Sequence, residues 1–320
     1  MTPSQPQPWT LKHELKIRYT KLSTLISIST LNNPYKPDDP DLEIWDLEIR
    51  PKRHLLDINL KEIWNYRDLV MLFVRRDFVA KYKQTILGPL WFIIQPILTT
   101  LMYLLVFGRI ANIPTDNVPP ILFYLSGIVA WTYFSVCLNS TAGTFITNAG
   151  IFGKVHFPRF VVPLSIVISN IIQFLIQLGL LLIVIGIYYF KGVSFTFTYN
   201  LFLVPFLILL MAFLGLGFGI IISSLTTKYR DLSNLMGFGI QLWMYATPII
   251  YPLSVIPDKY KIFILANPLT AIIITFKSAL LGTQSVSYGY LLYSSVFTLV
   301  ILFLGIIIFN RVERSFMDTV

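Results

Sequence analysis

The chain has 320 residues, of which 55% are hydrophobic and only 13% are charged, and it carries a net charge of +9. Together with a mean hydropathy of +0.68, this composition excludes an ordinary soluble domain of this size and predicts an integral membrane protein. The basic residues lie beside apolar runs, which favours anionic lipid headgroups over nucleic acid as their partner. Cys137 is the only cysteine, so an intramolecular disulfide is excluded and no thiol metal site is indicated.

The first part of the chain, residues 1–58, is polar and is predicted to form a cytosolic extension. It lacks the basic-then-apolar layout of a cleavable signal peptide, so we expect the first hydrophobic helix to remain as a membrane anchor. In residues 59–86, basic residues gather on one side of a predicted helix and apolar residues on the other, although Asp77 and Lys81 interrupt the apolar side. This pattern predicts an amphipathic helix in the cytoplasmic membrane interface, with an ordinary soluble surface helix as the alternative.

A corner is predicted within the stretch "KYKQTILGPLWFIIQP", Lys81 to Pro96. The pair Gly88-Pro89 commonly breaks a helix, and proline is tolerated in the first turn of a new one. We therefore expect the basic helix to lie along the membrane surface, the chain to bend at this pair, and the first membrane span to follow.

Six segments are apolar over about 20 residues, the length that crosses a hydrocarbon core of ~30 Å as a helix. They lie at about 87–109, 119–143, 160–189, 200–225, 233–251 and 286–309. The predicted fold is all-α: a polytopic membrane protein with six transmembrane helices in residues 87–310 and a cytosolic tail in residues 311–320. This is a single membrane domain preceded by the interfacial helix.

A further apolar stretch, "IFILANPLTAIIITFKSALLG", lies between the fifth and sixth spans. Asn267-Pro268 interrupts it, and it carries the charged Lys277. The break and the charge favour a re-entrant pair of short helices on the outer side over a seventh span.

The distribution of basic residues predicts the orientation. Twelve basic residues lie on the side that holds both termini: Lys61, Arg67, Arg75, Arg76, Lys81, Lys83, Lys154, Arg159, Lys228, Arg230, Arg311 and Arg314. Five lie opposite: Arg109, Lys191, Lys259, Lys261 and Lys277. The positive-inside rule therefore places both termini in the cytoplasm.

No ionisable residue lies in the middle of the six spans. Ion-coupled transporters and voltage sensors need such groups, so we expect the energy for transport to come from an ATP-hydrolysing partner. The chain itself offers no phosphate-binding loop, because "NAGIFGKV" lacks the first glycine and the magnesium-binding hydroxyl of that motif. The histidines are scattered, and Asp39 and Asp41 lie in a proline-rich linker, so neither a metal site nor a catalytic acid-base pair is predicted.

Aromatic residues in the first and fifth spans have two possible roles. Trp91, Tyr103 and Tyr245 either face lipid in interfacial belts or line a pore in which aromatic faces stack on sugar rings. In the second case Gln95 and Gln241 offer hydrogen bonds, and both alternatives stay open on the residues alone. The glycines of "GLGFG" in the fourth span are interpreted as helix-packing positions.

Five quoted stretches carry a resemblance to a known family. They are "NLKEIWNYRDLVMLFVRRDFVAKYKQTILGPLWFIIQP", "GKVHFPRFVVP", "TTKYRDL", "YATPIIYPLSVIP" and "LANPLTAII". Together they resemble the membrane subunit of ATP-binding-cassette exporters for polysaccharides, a group that includes permeases for O-antigen, capsular polysaccharide and teichoic acid. The resemblance covers about residues 42–315.

The resemblance implies a permease that performs no covalent chemistry. It implies a homodimer in the bacterial inner membrane, joined to two copies of a separate cytosolic ATPase that holds ATP and magnesium, with a polyprenyl-pyrophosphate-linked polysaccharide passing between the permeases. A drug or small-lipid exporter of the same superfamily and a membrane glycosyl or acyl transferase are the rival functions.

The resemblance also implies four sets of site residues. The residues assigned to ATPase coupling are Gly153, Lys154, Val155, His156, Phe157, Pro158, Tyr229, Arg230 and Asp231. Channel lining falls to Trp91, Gln95, Tyr103, Gln241 and Tyr245, and the outer gate to Pro252, Asn267 and Pro268. Contacts with the interfacial lipid or its pyrophosphate fall to Arg75, Arg76, Lys81 and Lys83.

Overall fold

Most of the predicted membrane portion is described by a computed structural model. The described residues are 60–83, 85–152, 154–155, 157–193, 195, 199–229, 231–282 and 287–316, and all belong to one compact unit, Lys52–Val320. The predicted cytosolic extension and residues 317–320 of the predicted tail lie outside them, as do Gly153, His156 and Arg230 of the predicted coupling set.

The predicted all-α fold is confirmed, since the described residues contain helices and no strand. The α-helices are α1 (Leu60–Asn65), α2 (Arg67–Tyr82), α3 (Trp91–Tyr103), α4 (Pro120–Ala142), α5 (Thr144–Phe152), α6 (Val161–Phe190), α7 (Val204–Thr226), α8 (Leu232–Tyr245), α9 (Asp258–Ala266), α10 (Pro268–Leu281) and α11 (Tyr288–Phe316). A π-helical segment, Leu104–Ile110, extends α3.

Five helical segments of the described chain are long and apolar enough to cross a membrane: Gly88–Ile110, Pro120–Ala142, Val161–Phe190, Asn200–Thr226 and Tyr288–Val312. They agree with five of the six predicted spans to within a few residues. The protein is therefore a multi-pass membrane protein, as its composition indicates.

The sixth predicted span, residues 233–251, differs from the structure. Its helix, α8, has 14 residues, a length of about 21 Å, which is shorter than a ~30 Å hydrocarbon core. It ends at Tyr245, just before Thr247-Pro248, because proline offers no N–H and disfavours helical geometry in the residue before it. The prediction of one continuous helix to residue 251 is wrong in its last part.

The predicted break at Asn267-Pro268 is confirmed. Helices α9 and α10 meet there at an angle of 98° and together are long and apolar enough for one more span. Asn267 is the N-cap of α10, and its side-chain oxygen accepts a hydrogen bond from Leu269 N at 3.1 Å, while Pro268 occupies the first helical position. The re-entrant arrangement of the pair stays a prediction.

A break in the helix precedes the first span, as predicted, whereas the direction of the bend and the position of α2 in the membrane interface stay predictions. Helix α2 ends at Tyr82, and Gly88 has a φ of +51°, a left-handed value that glycine adopts without the steric penalty of a side chain. A short 3₁₀ turn, Gly88–Leu90, then leads directly into α3. Helix α2 packs along α6 and buries Val70, Phe73 and Val74.

The centre of the bundle is α7, which packs between α4 and α11. An added Cβ at Gly215 would lie 2.9 Å from Cys137 Cβ, and one at Gly217 would lie 2.9 Å from Ile301 Cγ2. These distances are shorter than van der Waals contact, so the helices approach this closely only because side chains are absent. The interpretation of "GLGFG" as a packing motif is confirmed.

Candidate functional site

The four residues predicted to contact the lipid or its pyrophosphate, three on α2 and Lys83 just after it, divide into two pairs. Arg75 and Lys83 are exposed. Arg76 pairs with Asp77 at 2.8 Å, and its Nη2 donates to Asn148 Oδ1 on α5 at 3.5 Å. Two of the four predicted lipid contacts are thus free to meet a headgroup, whereas Arg76 also joins α2 to the helix that precedes the predicted coupling residues.

Lys81 is the second basic residue of α2 that turns towards protein. The residue as a whole is exposed, but its ammonium reaches the buried Asn170 on α6 and donates to Asn170 Oδ1 at 2.8 Å. Burial of this ammonium lowers the pKa of Lys81, against the opposing effect of Asp77. Lys81 therefore anchors α2 to α6, and its predicted contact with a pyrophosphate lipid stays a prediction.

Aromatic rings link the segment around residue 157 to several helices. The Phe157 cluster comprises Phe73, Phe145, Phe152, Phe157 and Phe309. Its ring centroids are 5.8 Å apart for Phe73 and Phe157, 6.0 Å for Phe152 and Phe157, 6.0 Å for Phe145 and Phe152, and 4.8 Å for Phe145 and Phe309. Edge-to-face and stacked pairs at these distances are favourable. The cluster joins α2, α5 and α11 in one packed unit.

The predicted coupling segment has an exposed tip and a buried base. Lys154 and Val155 are exposed, whereas Phe157 and Pro158 are buried. Of the second coupling group, Tyr229 and Asp231 are exposed.

The two coupling groups lie at the same end of the bundle. Phe145 N, near the start of α5, donates to Ser223 Oγ, near the end of α7, at 3.2 Å. Helix α5 leads to the first group, and α7 leads to the second. Whether either group binds a partner stays a prediction.

The predicted channel residues lie on two helices, α3 and α8. The Tyr103 hydroxyl donates to Met244 Sδ at 3.3 Å and so connects the helices. The other four predicted lining residues, Trp91, Gln95, Gln241 and Tyr245, are exposed. Exposure fits lipid and channel equally, so the choice between these alternatives stays open.

Helix α8 is loosely packed within the chain. Ile240 is its buried residue, and a groove of about 460 Å³ lies beside it. The groove is lined by Leu138, Ile222, Met236, Gly239, Ile240, Leu242, Trp243 and Ala246. This apolar groove separates α8 from α4 and α7 over part of its length.

The predicted gate residues meet around the α8–α9 linker, residues 246–257. Asn267 holds one group of α8 and two of the linker: Asn267 Oδ1 accepts from Trp243 Nε1 at 3.0 Å, and Asn267 Nδ2 donates to Thr247 Oγ1 at 2.9 Å and to Ala246 O at 3.4 Å. Pro252 in the linker and Pro268, next to Asn267 in the chain, are also buried. The cap of α10 therefore also fastens the end of α8.

The linker is also held by residues that were not predicted from the sequence to belong to the site. Ser254 Oγ donates to Asp116 Oδ1 at 2.6 Å, and the ammonium of Lys277 reaches the carbonyls of Pro248 and Ile249. The one signal in the sequence was Lys277 itself, a charge inside an apolar stretch. The partners are far apart in sequence and could not be paired from it.

A polytopic helical bundle whose described residues include five apolar spans and a bent helix pair has the build of a membrane transport subunit. Residues 68–281 match the family described as ABC-2 type transporter. Because the match covers about two thirds of the chain, from α2 to the end of α10, the chain belongs to this family.

Several curated proteins are similar over most of their length. An O-antigen export system permease protein, RfbA, from Klebsiella pneumoniae is 30% identical over 252 residues, which are 78% of this chain and 94% of that protein. RfbA from Myxococcus xanthus is 29% identical over 68% of this chain and 82% of its own length. The polysialic acid transport protein KpsM from Escherichia coli is 26% identical over 76% of this chain and 93% of its own length.

Proposed function

We propose that this chain is the permease subunit of an ATP-driven exporter that moves a polyprenyl-pyrophosphate-linked polysaccharide, such as an O-antigen, across the bacterial inner membrane. The observation that carries the proposal is the 30% identity to an O-antigen export permease over 94% of that protein's length. The similarity to a polysialic acid transport protein supports polysaccharide as the substrate class.

The proposed assembly is a homodimer with two copies of a cytosolic ATPase. The ATPase holds ATP and magnesium, and this chain contributes the path and performs no covalent chemistry. The exposed Lys154 and Val155 are suited to contact the ATPase, because the buried Phe157 and Pro158 fix the base of their segment. A push on this tip passes to α2 and α11 through the Phe157 cluster. Both termini lie in the cytoplasm in this arrangement.

The proposed path runs along α3 and α8. A polysaccharide needs flat apolar faces for its rings and hydrogen-bonding groups for its hydroxyls, and Trp91, Gln95, Gln241 and Tyr245 provide both on exposed surface. The exposed Arg75 of α2 and Lys83 just after it are suited to the pyrophosphate of the lipid carrier at the cytoplasmic interface. The Asn267 contacts would hold the outer end of α8 in place and so keep the outer gate closed between transport events.

A deletion strain tests the proposal. We expect surface polysaccharide to disappear and lipid-linked polysaccharide to accumulate inside the cell, with both effects reversed by the gene on a plasmid. Loss of the lipid-linked polysaccharide itself would instead indicate a glycosyl or acyl transferase. Unchanged surface polysaccharide with altered drug resistance or lipid content would indicate an exporter of small molecules.

A further inference from the structure

Lys277 is a charged residue buried in an apolar part of the molecule. It lies in the second half of α10, about one turn before the end of the helix, and only 3% of the residue is exposed. Its ammonium donates to Pro248 O and to Ile249 O, both at 3.0 Å, and lies 3.6 Å from the ring centroid of Phe123 on α4. A buried charge is costly unless such partners compensate for the lost water.

The hydrogen bonds from Lys277 also stabilise the two carbonyl groups that accept them. Helix α8 ends at Tyr245, so Pro248 and Ile249 lie in the linker beyond it, and both are buried. A buried carbonyl without a hydrogen bond is unfavourable. The ammonium has three donors and can serve both carbonyls at once, which a neutral aliphatic side chain at this position cannot do.

Gly127 on α4 makes the arrangement sterically possible. A Cβ at this position would lie 3.1 Å from Lys277 Cε, 3.1 Å from Ile249 O and 3.0 Å from Ile249 Cγ2. Phe123 is one helical turn earlier and contributes the ring under the ammonium. On this face of α4, the Phe123 ring lies against the ammonium, and the missing side chain of Gly127 leaves space for both the lysine and the linker.

We propose that Lys277 is a positioning residue that fixes the start of the α8–α9 linker against α4. It does so through the Pro248 and Ile249 carbonyls, independently of the Asn267 contacts with Ala246 and Thr247. The role extends beyond the proposed function, because it concerns the conformation of the linker and needs neither ATPase nor polysaccharide. The same role would apply to any substrate of this chain.

Thiol labelling of the full chain in liposomes tests this role. The native Cys137 is fully buried, and Cys137→Ala provides a background without thiols. Ile250→Cys then places one thiol in the linker at a position that is 3% exposed. Labelling by a small water-soluble maleimide is compared for three side chains at position 277: the native lysine, Lys277→Met, which is similar in length but has no donor, and Lys277→Arg, which keeps charge and donors.

We expect slow labelling with the native lysine and with Lys277→Arg. With Lys277→Met we expect labelling about tenfold faster or more, because hydrogen bonds from a charged donor are lost. Val255→Cys, at a position that is 48% exposed, gives the rate for an accessible linker thiol. Ala279→Cys, fully buried on α10 itself, must stay protected in every variant.

Equal labelling of the Ile250→Cys thiol with lysine and methionine at position 277 would overturn the proposal. So would fast labelling of the Ala279→Cys thiol with Lys277→Met, since it would show general loss of packing. If Lys277→Met does not accumulate in the membrane, Gly127→Ala perturbs the same contact while the lysine stays. It should accelerate labelling of the Ile250→Cys thiol, and an unchanged rate would contradict the proposal. Loss of export in a strain plays no part in these outcomes, so they are distinct from a failure of the proposed function.

Discussion

Substituting Gly219 by alanine tests the close approach of α4 and α7 at the centre of the bundle. A Cβ at this position would lie 2.5 Å from Thr141 Cβ, 2.8 Å from Thr141 Cγ2 and 3.1 Å from Leu138 O. Carbon atoms in van der Waals contact lie about 3.5–4.0 Å apart. The two helices must therefore separate by roughly 1 Å, because the obstacles are a branched carbon and a backbone oxygen rather than the end of a flexible side chain.

The expected cost follows from this overlap. Overpacking in a tight core lowers the free energy of unfolding by about 1–3 kcal/mol, and the fixed position of the Leu138 carbonyl places Gly219→Ala in the upper part of that range. Alanine regains up to about 1 kcal/mol through its higher helix propensity. The net loss is thus about 1–2 kcal/mol. Gly186→Ala on α6 is the matched control, since a Cβ there would meet nothing within 4 Å.

Unfolding of the purified full chain in mixed detergent and dodecyl sulfate micelles, followed by circular dichroism, measures the difference. We expect Gly219→Ala to unfold at a lower dodecyl sulfate fraction than the unsubstituted chain, and Gly186→Ala at the same or a higher fraction. Equal midpoints for the two variants would refute the reasoning, because the steric difference between the sites is its basis.

Three further predictions concern the candidate sites. Lys154→Glu should strongly reduce the amount of partner ATPase that co-purifies with the chain while membrane insertion stays normal, and full recovery of the ATPase would count against the coupling role. Tyr245→Ala should reduce polysaccharide export several-fold with the complex still assembled, whereas unchanged export would favour a packing or lipid-facing role. Lys81→Met should lower the free energy of unfolding by roughly 1 kcal/mol through loss of the Asn170 hydrogen bond. Arg75→Gln, at an exposed position of the same helix, should leave the free energy of unfolding unchanged. Equal effects of the two substitutions would contradict the role of Lys81 in anchoring α2 to α6.

The apolar spans could be predicted because their signal is local. A helix in hydrocarbon must satisfy its own backbone groups and carry apolar side chains along its whole length, so composition within a window of about 20 residues suffices. The helix breaks before α3 and at Asn267-Pro268 were equally local, since both depend on the backbone chemistry of adjacent residues. These features agree with the structure.

The end of α8 was not predicted from the same kind of window. Residues 246–251 are as apolar as the helix before them, so hydropathy continues past Tyr245 without a change. What ends the helix is Pro248, and what stabilises the linker afterwards comes from α10 and α4. A hydropathy window over residues 233–251 includes no residue of α10 or α4. The predicted span therefore continues six residues beyond the end of α8.

Lys277 shows why a charge in an apolar stretch is ambiguous in sequence. It was counted among five basic residues of the outer side, as if it faced water or headgroups. The structure buries it against carbonyls that lie 28 and 29 residues earlier, a separation that periodicity cannot detect. Removing it from the count leaves twelve basic residues against four, so the predicted orientation does not depend on it.

Helix α8 connects the two regions to which the sequence assigned coupling and gating. It begins directly after Tyr229 and Asp231, and it ends in the linker that Asn267 and Lys277 hold. Ile240 is its buried residue, and such sparse burial favours movement as a unit, while its second end is attached through Asn267 to α10. A displacement of residues 229–231 by a bound ATPase would therefore reach the linker along 14 residues of helix. Because Ile249 and Ile250 of the linker belong to the hydrophobic core, such a displacement would have to break apolar contacts as well as the hydrogen bonds of Asn267 and Lys277 to release the linker.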